Sequence, residues 1–114
     1  MIAANRDEFL QRPAAALDWW RPEPGAEPVL GGRDLHAGGT WMGLTAGGRI
    51  ALLTNVRDPS RQQATAASRG AIVPAWLARA QPRDEFWRRT AASGPNPFNL
   101  LAGDGPGCQW WWSD

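Results

Sequence analysis

Apolar residues fall along this chain in short blocks separated by glycine, proline and charge, some alternating and some recurring at helical spacing. Residues 1–5 open on Met1-Ile2-Ala3-Ala4 and read as an extended segment that delivers Asn5, Arg6, Asp7 and Glu8. Side chains alternate across a strand, so Arg6 and Glu8 fall on one side and Asn5 and Asp7 on the other. Residues 11–28 are rich in proline and charge, which predicts irregular chain pinned by buried aromatics at Trp19 and Trp20. Val29-Leu30 then leads into two glycine pairs, Gly31-Gly32 and Gly38-Gly39, with His36 in the loop between them. Such pairs let the backbone take positive φ or approach another group closely.

The clearest hairpin comes next, a strand over 40–45, a tight turn at 46–48 and a partner strand over 49–55. Ile50 to Leu53 is an unbroken apolar run, as expected of a strand covered on both faces, and it delivers Thr54 and Asn55 at its end. After a polar loop, Ser68 can cap a helix running to about residue 80, with Ile72, Ala75, Trp76 and Arg79 along one face and Pro74 weakening its first half. A second helix is predicted from Pro82 to Ala92, stopped by Gly94-Pro95. Residues 98–102 form a strand, 103–107 a turn and 108–112 a returning, tryptophan-rich strand.

Composition narrows the classes of function. A chain of 114 residues suits a single domain, or part of one, and no apolar run has the length to cross a bilayer. The start carries no signal-peptide pattern, so a cytoplasmic location is expected. A net charge of +1 with scattered arginines gives no electrostatic footprint for nucleic acid. With one cysteine and one histidine there is neither an intrachain disulfide nor a Cys/His cluster for a metal. Most of the eight tryptophans are expected in core and inter-layer packing.

The polar cluster Asn5-Arg6-Asp7-Glu8 has two readings. It can fix a charged ligand or orient a nucleophile, since the guanidinium is a rigid donor fork and the acids accept. It can equally form a solvated turn in which Arg6 pairs with a neighbouring acid. Arg33 and the glycine pair Gly38-Gly39 could serve a phosphate-bearing ligand, because guanidinium groups pair with phosphates and glycine-rich backbone approaches them closely. Ser68-Arg69-Gly70 reads either as a plain helix start or as an anion site, and Asn99 as a residue satisfying backbone groups at a strand end.

Ala3-Ala4-Asn5-Arg6-Asp7-Glu8-Phe9, Arg12-Pro13, Trp20, Gly32-Arg33-Asp34, Gly38-Gly39-Thr40-Trp41-Met42-Gly43, Leu53-Thr54-Asn55, Ser68-Arg69-Gly70 and Phe98-Asn99-Leu100-Leu101 together resemble, in order and spacing, the NRDE family. That family includes the animal transport and Golgi organization 2 proteins and many bacterial members. The resemblance covers nearly the whole chain. It implies an α+β fold, part of an αββα sandwich of the N-terminal-nucleophile hydrolase type with antiparallel sheets and a helix pair. It implies a bacterial protein that handles haem or acyl-CoA and other lipid ligands. No resident cofactor is expected; haem enters only as cargo, with His36 the one imidazole available to it.

The same resemblance implies an alternative, a Cys-dependent amidohydrolase or acyltransferase. In related amidases an N-terminal Cys attacks, an Arg and an Asp soon after the first strand orient it, and an Asn ending a later strand binds the oxyanion. Arg6, Asp7 and Asn55 match those supporting positions, although Arg6 and Asp7 are adjacent where the amidases space them further apart. Family members usually begin with a further strand carrying Cys directly after the initiator Met, which this sequence does not have. Cys108 has no free amine beside it and is read as a small apolar filler. The expectation is therefore a single family domain incomplete at both ends, without its nucleophile, and prone to self-association through open sheet edges.

Overall fold

The apolar run at Ile50 to Leu53 becomes the middle of a six-stranded antiparallel sheet whose spatial order follows the chain, β1-β2-β3-β4-β5-β6. A computed structural model describes residues 8–78 and 81–105 and the backbone of 111–113. The strands are β1 (Ala14–Trp20), β2 (Val29–Asp34), β3 (Met42–Thr45), β4 (Arg49–Asn55), β5 (Phe98–Asp104) and β6 (Trp111–Ser113), with α1 (Ile72–Leu77) and α2 (Arg83–Ala92) between β4 and β5. The fold is α+β. Among the described residues no helix is long and apolar enough to cross a membrane.

The alternation of a pleated strand sorts the sheet into two faces. Val29, Ala51, Leu53, Leu100 and Ala102 are buried and pack with Ile72, Val73, Trp76 and Leu77 of α1 and Phe86 of α2. Gly43 lies on this face. A Cβ there would sit 2.8 Å from Val29 Cγ1 and 3.0 Å from Leu77 Cδ1, so its missing side chain lets α1 close onto the sheet. Trp76 anchors the layer, its Nε1 donating to the Gly103 carbonyl at 3.3 Å and its ring meeting Phe86 edge-on at 5.3 Å.

The other face is apolar too. Register places Trp19 opposite Leu30, Leu30 opposite Leu44, and Leu44 opposite Ile50, while Met42 faces Leu52 and Leu52 faces Leu101. Paired residues share a face, so these side chains form two apolar rows. They stay partly open to solvent, with Trp19 49% and Leu44 38% exposed.

Several expectations from sequence are corrected. Residues 14–20 are not irregular chain but β1, an edge strand paired to β2 with a register shift between Ala15 and Asp18. Trp19 is not buried, and Trp20 is held instead by a hydrogen bond from its Nε1 to the Gly31 carbonyl at 3.1 Å. Gly31 and Gly32 lie within β2, and β3 starts two residues later than predicted. The first helix is shorter than expected. A continuous helix from Ser68 would need Pro74 to donate to Gly70, but proline has no N–H. Residues 69–71 form a 3₁₀ turn capped by Ser68, and the Gly70 carbonyl accepts from Thr40 N at 3.1 Å. Within α1 the buried face is Ile72, Val73, Pro74, Trp76 and Leu77, while Ala75 is exposed. β5 runs two residues further than expected, and β6 covers 111–113. The extended segment at 1–5, Arg79, Cys108 and the side chains of Trp110 to Trp112 lie outside the described residues.

Candidate functional site

Beyond the last rungs of β2 and β4, four loop segments converge on a polar cleft of about 360 Å³. One wall is built on an ion pair 22 residues apart in sequence. Arg12 Nε and Nη2 donate to Asp34 Oδ2 at 2.9 and 2.7 Å, while Asp34 Oδ1 accepts from the backbone N–H groups of His36 and Ala37 at 2.9 and 3.3 Å. Asp34 thus ties the Arg12 turn to the β2–β3 loop. The Arg12 hydrogen bonds, aided by the two backbone donors and resisted by burial, hold its carboxyl down at about 2. The same pair raises the Arg12 guanidinium, whose Nη1 lies 3.6 Å from Glu8 Oε2.

The opposite wall comes from residues 66–70 and Asn96. The Asn96 amide clamps the long loop between β4 and α1, accepting from Gln63 N at 2.8 Å and donating to the Gln63 carbonyl at 3.0 Å. Arg69 Nη1 donates to the Pro97 carbonyl at 2.9 Å. Burial lowers the Arg69 pKa, and the negative charge of Glu8 opposes that shift. A guanidinium drawn partly out of water is a ready partner for an anion. The two walls meet at Gly39 and Gly70, where a Cβ on Gly39 would collide with the Gly70 carbonyl. Between them, Asn55 shares the face of β4 that carries Ala51 and Leu53, and Thr54 Oγ1 accepts from Asn99 Nδ2 at 3.2 Å. Asn99 therefore pairs across the strands with a side chain, where sequence suggested backbone partners.

A second cavity, of about 510 Å³ and largely apolar, lies between the two helices and the β2–β3 loop. The predicted site residues divide among these places. Glu8 and Asn55 line the polar cleft. Gly38 and Gly39 line the apolar cavity. Arg33 lines neither; it lies over the Trp20 ring at 4.9 Å, and its Nε donates to the Gly38 carbonyl at 3.3 Å. His36 is exposed in the β2–β3 loop and also lines neither. Asn5, Arg6 and Asp7 lie outside the described residues. Among the described residues no group of His, Cys, Asp and Glu could hold a metal ion. Sequence reasoning missed the roles of Arg12, Asp34, Thr40 and Asn96. Arg12-Pro13 and Gly32-Arg33-Asp34 both carry the family resemblance, but nothing local announces that the Arg12 and Asp34 side chains meet.

These cleft residues fall within the stretch that a known family shares. The sequence model described as Transport and Golgi organisation 2 matches residues 1–112. The chain belongs to that family. Among its relatives, the transport and Golgi organization protein 2 homolog of Bos taurus is 38% identical over 109 residues, covering 91% of this chain and 38% of the bovine protein. The Mus musculus and Homo sapiens homologs are 35% and 34% identical with the same coverage. The chain thus spans 38% of the length of these Transport and Golgi organisation 2 relatives.

Proposed function

We propose that this chain handles an acyl-CoA-type lipid ligand, and that the polar cleft holds the ligand's anionic end. The observation that carries the reading is Arg69, a partly buried guanidinium facing a cleft whose other wall is fixed by the Arg12–Asp34 pair. Fixed donors bind a phosphate or carboxylate without first having to be ordered. Haem, the other ligand implied by the family resemblance, is less well served, since the chain's single His36 lines neither cavity. Calorimetric titration of the chain with a long-chain acyl-CoA and with haem tests this. Saturable acyl-CoA binding, weakened at least about tenfold in Arg69→Ala as expected for a lost charge-assisted contact, supports the reading. Absent binding, or equal binding by the variant, overturns it.

A second reading is thioester or amide hydrolysis of the N-terminal-nucleophile kind. It draws on Asn55, which lines the cleft and whose amide can donate to an oxyanion. The N-terminal Cys that the resemblance implies is not among residues 1–114, so the chain would supply supporting groups only. Thiol release from an acyl-CoA by the chain joined to the Cys-bearing first strand of a relative, abolished in Asn55→Ala, would support it; no release by that version, or release that survives Asn55→Ala, would count against it. We also read the partly open apolar face as the seat of a second sheet, as in an αββα sandwich. The two cross-strand apolar rows support that reading, because sandwich cores are built from facing sheets of this kind.

A further inference from the structure

The apolar cavity is separated from the polar cleft by a single short segment. Ala67 and Ser68 line both. Both residues are exposed, and Ser68 Oγ accepts from Gly70 N at 3.3 Å, so the stretch shared by the two cavities carries only small side chains. Beyond it, Ile72, Pro74 and Phe86 are buried residues that contribute apolar surface, with Trp20 at the far side. The volume stays open partly because α1 and the turn before it present Ala71, Ala75 and Ala78 to it. Larger side chains at those positions would fill the space. Charge is distributed unequally: Arg12, Asp34, Glu8 and Arg69 all line the cleft, while the cavity has Glu23 and Arg89 in a lining that is otherwise mostly Ala, Gly, Pro and aromatic.

A charged cleft and an apolar groove that share the lining residues Ala67 and Ser68 together match the two ends of an amphiphile. We infer that the groove between α1, α2 and the β2–β3 loop receives the aliphatic chain of the ligand whose anionic end lies in the polar cleft. The inference rests on the cleft reading above and adds a second subsite to it. A volume of about 510 Å³ lies within the usual range of about 300–1,000 Å³ for small-molecule sites, so chain length is limited and the site selects for it. The chain crosses at Ala67–Ser68, and its polar end stays with Arg69.

The test is a length ladder on the full 114-residue chain, using free CoA and its saturated thioesters from four to sixteen carbons. Affinity should rise up to about fourfold per methylene, as burial of each CH₂ predicts, and level off once the groove is full. Ala75→Trp should flatten the ladder by plugging the groove, with free CoA as the reference for the variant. Ala71→Phe provides a second plug should the first fail to fold, and circular dichroism checks each. A flat ladder with CoA still bound, or a ladder that both folded plugs leave unchanged, overturns the tail subsite while sparing the cleft reading. If no CoA species binds, the cleft reading fails, and neutral primary alkanols decide the groove alone. Saturable alkanol binding blocked by the plugs upholds the groove; none overturns it.

Discussion

The two faces of the sheet carry similar residues and meet different surroundings. On one, Val29, Ala51, Leu53, Leu100 and Ala102 are sealed beneath Trp76, Leu77 and Phe86. On the other, Leu30, Leu44, Ile50, Leu52 and Leu101 are apolar but partly open. The contrast explains why β4 reads as a continuous apolar run rather than an alternating one. A strand apolar on both faces is suited to a layer on each side. Among the described residues, the core cluster supplies one such layer.

That contrast can be broken or sharpened by substitution, with stability followed by urea unfolding. Trp76→Ala should have the largest effect, a loss of about 3–5 kcal/mol, because it empties the centre of the covered layer and removes the bond to Gly103. Leu53→Ala, on the same face of the sheet, should cost about 2–4 kcal/mol. Asp34→Asn lies at the strand ends, off both layers, and should cost about 1–2 kcal/mol after allowance for solvent screening of the ion pair. Its signature is pH dependence. The folded carboxyl is depressed from 3.8 to about 2, so its stabilisation is full above about pH 4 and is lost as the pH falls through 2. The variant should therefore have a shallower acid limb in the stability profile, whereas the two apolar substitutions should leave its shape unchanged. Leu44→Ala should cost the least, under about 1 kcal/mol, since the side chain is 38% exposed. A Leu44→Ala loss equal to that of Leu53→Ala would mean that the second face is already covered in solution. Sedimentation at several concentrations would then reveal whether a second copy covers it.

Much of the fold was legible. The β3–β4 turn, the bounds of β4 and the second helix follow directly from apolar runs, glycines and the proline at a helix start. β1 was hidden because its residues are nearly all exposed, so no burial period marks it, and prolines on both flanks argue for loop. Pro74 was legible as the weak point of the first helix; that the helix starts only at Ile72 shows when Thr40 takes the Gly70 carbonyl that Pro74 has no N–H to reach. In the candidate site, Asn55 was legible as a polar residue ending an apolar strand. The Arg12–Asp34 pair was not, since register and loop closure bring those side chains together, and neither leaves a local trace in the sequence.

The central claim, that the cleft around Arg69 takes the anionic end of an acyl-CoA-type ligand, is tested most directly by where the ligand shields the protein. Arginine modification by phenylglyoxal, read residue by residue by mass spectrometry with and without a long-chain acyl-CoA, gives that answer in one experiment. Arg69 should be protected, while Arg33, which lines neither cavity, should react at the same rate in both samples. Equal modification of Arg69 with and without saturating ligand would contradict the claim.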